Sequence, residues 1–231
     1  MKTLGIVGGI GPESTIDYYR QIVAAYRERK PDGSFPPVII NSIDMTKMLA
    51  LIGANQMTEV TAYLVGEVNK LARAGADFGL LAANTPHIVF DEIRRAAKIP
   101  LISIVEVTCD AARARDIARA GLFGTRFTMQ GSFYPDVFTR RGIQLVTPDE
   151  PEQDYIHDKY MRELVHGIFL DETRGGLLAI VDRLIDQQQI QGLILGGTEL
   201  PLILRDETYR GIPLLDTTKI HVDRAVARIL T

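Results

Sequence analysis

The chain has 231 residues, of which 46% are hydrophobic and 24% are charged, and its formal charge is -3 at pH 7. A chain of this length can bury a substantial apolar core without a disulfide or a metal ion to hold it together. The composition is that of an ordinary globular protein. A weakly acidic chain lacks the net positive charge that attracts the phosphate groups of nucleic acids. A nucleic-acid partner is therefore not expected.

The start of the chain and its cysteine content indicate where the protein works. Met1-Lys2-Thr3 is followed by an apolar run that is too short for a signal peptide or a membrane span. We therefore expect a cytoplasmic protein that has no membrane partner. The single cysteine, Cys109, excludes an internal disulfide and a cysteine-rich zinc site, so no metal is expected.

Short β-rich apolar runs alternate with longer amphipathic runs along the chain. This alternation is typical of βαβ units around a parallel sheet. Most of the short runs are continuously apolar, as in strands that are buried on both faces. The predicted strands, in chain order, are 4–8, 38–43, 78–82, 101–105, 121–124, 143–146, 192–195 and 213–215.

Three apolar stripes with helical spacing lie between the predicted strands. Each is expected to be the sheet-facing side of a surface helix. A further helix is predicted over 107–118, and the acidic run 149–152 is interpreted as a solvated loop. The stripes are Val60, Leu64, Val68 and Leu71, then Met161, Leu164, Val165 and Ile168, and finally Leu177, Ile180, Val181 and Leu184.

The sequence also contains a weak internal repeat. The run 4–8 is similar to the run 120–124, and the run 80–85 is similar to the run 194–199. The members of the two pairs begin 116 and 114 residues apart. We therefore predict an α/β fold of two similar parallel-sheet halves, related by a pseudo-twofold axis, with the site in the cleft between them. The first half is expected to comprise residues 1–105 and 212–231, and the second residues 106–211.

Three strand-to-helix turns are candidate parts of a site, because ligands of parallel sheets collect at the carboxyl ends of strands. They are the runs 8–15, 82–87 and 196–201. In the first turn, Gly9 and Gly11 allow the backbone to approach a ligand, and Pro12 fits the start of a helix. Ser14 stands where a dinucleotide-binding fingerprint needs its third glycine, which argues against a nucleotide.

The second and third turns each end an apolar strand and open a helix. Free backbone N–H groups and the positive end of a helix dipole would suit a carboxylate there. The side chains of Asn84, Thr85 and Thr198 could add hydrogen-bond donors, or they could be plain N-caps. A carboxylate is the group that these turns are expected to bind.

Taken together, the three turns resemble motifs of the aspartate/glutamate racemase family. The run 8–12 with Thr15 is similar to the opening glycine-rich loop of the family, the Asn-Thr-x-His run 84–87 to its first catalytic turn, and the Gly-x-Thr-Glu run 196–199 to its second. The resemblance implies two similar α/β halves, a homodimer, and amino-acid racemase activity that needs neither pyridoxal phosphate nor a metal. It also implies substrate contacts at Gly9, Gly11, Thr15, Asn84, Thr85 and Thr198.

In the family that the chain resembles, one cysteine removes the α-proton of the amino acid and a second returns it on the opposite face. The matching positions here hold Ala83 and Gly197, and neither side chain can act as a base or an acid. The two-thiol mechanism is therefore impossible, and we expect a natural cysteine-less branch rather than an engineered variant. Cys109 lies in none of the motifs and is expected to be a buried, inert thiol.

Three other ionisable residues could carry the chemistry. His87 could be a general base, or a helix-start histidine that bonds only to neighbouring backbone. Glu199 could orient a substrate ammonium or exchange a proton, or it could simply be an acidic residue in the first turn of a helix. Asp44, at the end of the second strand, could face the cleft. The remaining histidines, His157, His166 and His221, are expected to be structural.

Two functional hypotheses follow. The first is an enzyme that binds a small amino or carboxylic acid and runs altered proton-transfer chemistry, as in epimerisation or a lyase step. The second is a catalytically silent homologue that binds a carboxylate or a protein partner as a sensor or regulator. The ionisable side chains near Ala83 and Gly197 discriminate between them.

Overall fold

The computed structural model describes residues 1–231, and the chain forms two compact units. The first unit comprises Met1–Ile104 and His221–Thr231, and the second comprises Val105–Ile220. Each unit is an α/β structure built on a largely parallel sheet. The α/β class predicted from the alternating apolar runs is thereby confirmed.

The sheet of the first unit has four parallel strands in the order β2-β1-β3-β4. All residues of the two central strands are buried, which agrees with their continuous apolar sequences, whereas the edge strand β2 is partly exposed. The strands are β1 (Leu4–Gly8), β2 (Val38–Ser42), β3 (Phe78–Leu81) and β4 (Leu101–Ile102).

The helices of the first unit connect these strands. The stripe Val60, Leu64, Val68 and Leu71 is buried on one face of the third helix, as its spacing predicts. The helices are α1 (Pro12–Arg29), α2 (Met45–Gly53), α3 (Met57–Arg73) and α4 (Phe90–Ala96), and a 3₁₀ helix covers Thr85–Val89.

The sheet of the second unit has five strands in the order β6-β5-β7-β9-β8. The first four are parallel, and the short β8 pairs with β9 in the antiparallel direction. The strands are β5 (Arg119–Gly124), β6 (Gln144–Val146), β7 (Gly192–Gly196), β8 (Thr208–Tyr209) and β9 (Ile212–Asp216).

The helices that follow in the chain are α5 (Ile104–Arg113), α6 (Arg126–Gln130), α7 (Phe133–Thr139), α8 (Glu150–Arg162), α9 (Asp171–Gln188), α10 (Leu200–Ile203) and α11 (Thr217–Ile229). The third predicted stripe lies on α9, and all four of its residues are buried. None of the helices combines the length and the apolar character that crossing a bilayer would need.

Strand register shows the same repeat that the sequence predicts. Ile6 in β1 pairs with Leu80 in β3, and Leu122 in β5 pairs with Ile194 in β7. Leu122 follows Ile6 by 116 residues and Ile194 follows Leu80 by 114 residues, which are the offsets of the two sequence repeats. In each unit the first strand is therefore an inner strand of the sheet, beside the strand that leads into a candidate turn.

The two units divide the chain differently from the two halves predicted from the sequence. Residues 212–231 were assigned to the first half, but β9 pairs with β7 and lies in the second unit. Only His221–Thr231 returns to the first unit. Helix α11 therefore begins in one unit and ends in the other.

The predicted strand 101–105 and helix 107–118 are both displaced. Strand β4 ends at Ile102, and α5 begins at Ile104 and ends at Arg113. A short buried apolar run fits a strand or a helix equally well, which explains the first error. Beyond the helix, Asp116 takes a left-handed conformation with φ 54°, so the helix cannot continue to residue 118.

The second predicted helical stripe is wrong. Helix α8 ends at Arg162, and a 3₁₀ turn follows over Leu164–His166. Gly167 ends that turn in the left-handed conformation with φ 72°. Leu164 is buried, but Ile168 lies beyond the glycine and is 45% exposed, so these residues do not share one helix face.

The acidic run 149–152 is not a solvated loop but the start of α8. The Asp149 side chain accepts a hydrogen bond from the Glu152 backbone N–H, and the Glu152 side chain accepts one from the Asp149 N–H. This reciprocal pair is a capping box, and the proline between the two residues fits the first turn. The acidic side chains also suit the positive end of the helix dipole.

Candidate functional site

Thr15 holds the glycine-rich loop after β1 in shape. Its Oγ1 atom accepts a hydrogen bond from the Gly9 N–H at 2.8 Å and donates one to the Gly11 carbonyl oxygen at 3.2 Å. Gly9 has a φ of +79°, and a β-carbon there would lie 2.3 Å from the Ile43 carbonyl oxygen, so glycine is required. The predicted substrate contacts of these residues stay predictions.

The loop leads into α1, whose 18 residues make it one of the two longest helices. Gly11 is the N-cap residue and has no side chain to accept from the first-turn N–H groups, and Pro12 follows it as predicted. Helix starts of this kind favour an anion, because backbone donors and the dipole point the same way. The Glu13 side chain in this turn is exposed.

The turn after β3 buries its polar side chains. Asn84 is the N-cap residue of the 3₁₀ helix, and both Asn84 and Thr85 are buried. The Ser14 hydroxyl on α1 donates to the Ala82 carbonyl oxygen at 3.0 Å and ties this turn to the start of α1. Ala83, at the position that the resemblance assigns to the first thiol, is also buried.

His87 uses both of its ring nitrogens to bond backbone groups. The Ile104 N–H donates to Nε2 at 3.2 Å, so Nε2 carries no proton, and Nδ1–H donates to the Ala83 carbonyl oxygen at 3.1 Å. Burial, helped by the nearby His221, lowers the pKa of His87 to about 3, so the ring is neutral at pH 7. This geometry favours the structural alternative, since a general base needs a free lone pair.

His221 on α11 is held in a comparable way, with the opposite tautomer. The Tyr18 hydroxyl donates to Nδ1 at 2.9 Å, and Nε2–H donates to the Ile102 carbonyl oxygen at 3.1 Å. Burial lowers the pKa of His221 to about 4. These contacts support the structural role expected for His221. Among the other histidines, His157 accepts a backbone N–H at Nδ1 and His166 is exposed.

Asp44 is the N-cap residue of α2. Its side chain accepts a hydrogen bond from the Thr46 N–H at 2.8 Å, and the residue is exposed. This is the ordinary N-cap interaction. The capping role accounts for an aspartate at this position, and its catalytic role stays a prediction.

The turn after β7 holds a buried carboxylate. Glu199 is 2% exposed, and its Oε2 atom accepts hydrogen bonds from the Thr198 hydroxyl at 2.9 Å and from the Tyr160 hydroxyl. Burial and the adjacent Glu199 carboxylate raise the pKa of Tyr160 well above its usual value. The phenol is therefore protonated and acts as the donor. Of the three predicted catalytic residues, only Glu199 lies in a buried hydrogen-bonded group of side chains.

Gly197, at the position that the resemblance assigns to the second thiol, is packed against the ring of Tyr160. A β-carbon on Gly197 would lie 2.4 Å from Tyr160 Cε2 and 3.0 Å from both Cζ and the phenol oxygen. The nearest of these contacts is closer than real carbon atoms approach. A cysteine therefore does not fit at position 197 while Tyr160 keeps its position.

Tyr160 is a residue that the sequence analysis did not identify. It lies on α8, where Gln153, Ile156 and Tyr160 are the buried residues. Their spacing of three and four marks one face of a helix, so its burial could have been predicted from the sequence. The partner of that face could not, because nothing local to α8 indicates contact with the turn after β7.

The remaining candidates do not form a second constellation. Cys109 lies in α5 and is buried, as predicted, and burial raises the pKa of its thiol. No group of three or more His, Cys, Asp or Glu side chains is arranged to hold a metal ion. A cavity of about 290 Å³ in the second unit is lined by none of the predicted site residues; its lining is Phe169, Leu170, Asp171, Arg174, Ile203 and Arg205.

Comparison with known proteins gives a consistent result along the whole chain. The model of the Asp/Glu/Hydantoin racemase family matches residues 7–225. The broad specificity amino-acid racemase RacX of Bacillus subtilis is 27% identical, and the alignment covers 98% of each chain.

Solved structures share the fold over the full length. A structure from Yersinia pestis, assigned provisionally as an Asp/Glu racemase, is 31% identical and covers 100% of both chains with a TM-score of 0.89. An aspartate racemase homologue from Pyrococcus horikoshii is 29% identical, with the same coverage and a TM-score of 0.85. These comparisons agree with the resemblance read from the three turns.

Proposed function

Because the chain belongs to the Asp/Glu/Hydantoin racemase family, we propose that it binds a small amino or carboxylic acid and moves the α-proton of that ligand without a thiol. The reaction class would be that of an amino-acid racemase or epimerase. The name of RacX, whose alignment spans nearly the whole chain, supports an amino acid as the substrate class.

The observation that carries this proposal is the buried Glu199 carboxylate. It lies two residues after Gly197, the position assigned to the second thiol, and it is held by the hydroxyls of Thr198 and Tyr160. Burying an ionisable carboxylate is costly unless hydrogen bonds compensate, and such groups cluster at functional sites. Glu199 is therefore the proposed acid or base of the reaction.

The start of α1 supports binding of the ligand carboxylate. Backbone N–H groups there have no capping side chain, and the glycine-rich loop from Gly9 to Gly11 lets a ligand approach the backbone. Asn84, Thr85 and Thr198 remain the proposed side-chain contacts. No pyridoxal phosphate or metal is proposed, so dialysis against a chelator should leave the activity unchanged.

Proton NMR in heavy water tests the proposal. We expect the α-proton signal of at least one amino or hydroxy acid to disappear, in a panel that begins with aspartate and glutamate. Glu199→Gln should slow this exchange by about 100-fold to 10,000-fold, the usual contribution of a general acid or base. Asp149→Asn, which alters an exposed N-cap residue outside the candidate site, is the matched control and should keep the exchange rate.

A catalytically silent carboxylate-binding protein is the second candidate, and the first unit favours it. Ala83 has no ionisable atom and both nitrogens of His87 are occupied, so this turn provides no free acid or base. Calorimetric binding of a panel member, together with no α-proton exchange of any member, would replace the first proposal by this one.

The homodimer implied by the resemblance also remains a proposal. Light scattering coupled to gel filtration tests it directly. A mass twice that of the chain would support the dimer, and a mass equal to that of the chain would contradict it.

A further inference from the structure

We propose that Tyr160 is a catalytic residue that replaces the second thiol of the family and moves the α-proton of the ligand together with Glu199. This inference rests on the proposed function, because it names the group that exchanges the proton. It assigns a role to a residue that lies on α8, outside the three motifs.

The first argument is the space that the phenol occupies. The Tyr160 oxygen lies 3.0 Å from the position where a β-carbon on Gly197 would be, and the ring lies closer still. The side chain of a cysteine at 197 would start from that same position. The Tyr160 phenol, which reaches the turn from α8, therefore occupies the space that a cysteine side chain at 197 would need. Glycine at 197 leaves room for the ring.

The second argument is the direction of the hydrogen bonds. The Tyr160 hydroxyl donates to Glu199 Oε2, and the Thr198 hydroxyl donates to the same oxygen at 2.9 Å. The phenol proton therefore already points at the carboxylate that can accept it. The same oxygen is the atom that lies 3.0 Å from the position of a β-carbon on Gly197, so in this proposal it takes the proton of a ligand bound at that turn.

These contacts allow a balanced proton relay. The α-carbon–hydrogen bond of the ligand breaks and its proton goes to the Tyr160 oxygen, while the phenol proton goes to Glu199. The bonding electron pair stays on the ligand as a carbanion, which is stabilised as the enolate of its carboxyl group. Glu199 ends protonated and Tyr160 ends neutral, and the reverse transfer returns one proton to the α-carbon.

The relay avoids a free phenolate. Burial and the Glu199 charge raise the pKa of Tyr160, so a stepwise route through its anion would be unfavourable. A concerted transfer leaves one proton on the phenol throughout. Glu199 must be ionised before abstraction.

Tyr160→Phe tests the proposal, because it keeps the ring that fills the space beside Gly197 and removes only the hydroxyl. We expect the exchange rate in heavy water to fall by about 100-fold or more, with the affinity for the ligand unchanged within about threefold. Tyr155→Phe also removes a tyrosine hydroxyl from α8, away from Gly197, and is the matched control. It should keep the wild-type exchange rate.

Tyr160→Gln carries the test if Tyr160→Phe does not fold. Its amide N–H can still donate a hydrogen bond to Glu199 but cannot relay a proton, so a purely structural role of Tyr160 predicts normal exchange and the relay predicts its loss. Exchange by the wild type that survives in either variant would overturn the role of Tyr160 and leave the proposed function standing. No exchange by the wild type would overturn both.

Discussion

The turns after β3 and after β7 occupy equivalent places in the two repeats, and their buried side chains are used differently. In the first unit, Ala83 is followed by His87, a neutral imidazole that bonds only to backbone. In the second unit, Gly197 is followed by Glu199, a carboxylate that bonds to two side-chain hydroxyls. The first turn thus holds a neutral side chain fixed by backbone, and the second holds a buried carboxylate fixed by side-chain hydroxyls.

The two turns also differ in what packs against the residue at the position that the resemblance assigns to a thiol. Alanine keeps its β-carbon and is buried where it stands, so the first turn needs no new neighbour. Glycine leaves a space, and the ring of Tyr160 fills it. The second turn therefore has a long-range packing partner whose removal should be costly.

Tyr160→Ala should have the largest effect on stability. It leaves a cavity beside Gly197 and removes a donor from the buried Glu199 carboxylate, so we expect a loss of about 3 to 5 kcal/mol in the free energy of unfolding. Urea denaturation monitored by circular dichroism gives this value. A loss below about 1 kcal/mol would show that the ring does not support the second turn.

Acid should have the next largest effect, through two buried histidines of the first unit. The pKa values of His87 and His221 are about 3 and about 4 in the folded chain and 6.5 without burial. Below pH 6.5 the unfolded chain therefore binds protons that the folded chain does not, and the free energy of unfolding falls as the pH falls. The loss should reach about 2 kcal/mol for each histidine at pH 5, and it should be absent above pH 7.

Denaturation measured between pH 7 and pH 5 in two variants checks this prediction. His221→Asn should reduce the loss between pH 7 and pH 5 by about 2 kcal/mol, whatever its effect at pH 7. Tyr155→Phe, which changes no imidazole, is the control and should leave the pH dependence unchanged. Equal pH dependence in the wild type and His221→Asn would contradict a neutral, buried imidazole at position 221.

Gly197→Ala should have a smaller effect, and its partner should be identifiable. The added β-carbon meets the Tyr160 ring, so we expect a cost of about 1 to 3 kcal/mol. The cost should disappear in the Tyr160→Ala background, which a double-mutant cycle measures. An equal cost in both backgrounds would show that the ring is not the obstacle.

Gly175→Ala is the matched control and has the smallest expected effect. Gly175 lies within α9, and a β-carbon there meets no other atom within 4 Å. Alanine is favoured over glycine inside a helix, so we expect a gain of about 0.5 to 1 kcal/mol in urea denaturation. A loss at this position would mean that the space around α9 is not open.

The sequence predicted those features that depend on short-range pattern. Continuous apolar runs gave both central strands of the first sheet, and the repeat gave the pairing of Ile6 with Leu80 and of Leu122 with Ile194. The stripes on α3 and α9 were predicted because their spacing is regular and uninterrupted. The motif positions followed from the family resemblance.

Features that depend on long-range contact could not be predicted. The tautomer and the pKa of His87 are set by Ile104, which is distant in sequence, and the space at Gly197 is filled from α8. The start of α8, by contrast, could have been predicted from local sequence. An aspartate, a proline and a glutamate with capping-box spacing indicate a helix start, but the acidic run was interpreted as a loop because of its charge.

The two buried imidazoles also mark the places where the polypeptide passes from one unit to the other. The first unit ends at Ile104 and resumes at His221. His87 accepts the N–H of Ile104, the first residue of α5, and His221 is itself the first residue of the returning segment. Both segments that connect the units are therefore hydrogen-bonded through a neutral imidazole ring. Protonation would remove the nitrogen that accepts a hydrogen bond in each ring. Acid would therefore weaken the attachment of both connecting segments at once.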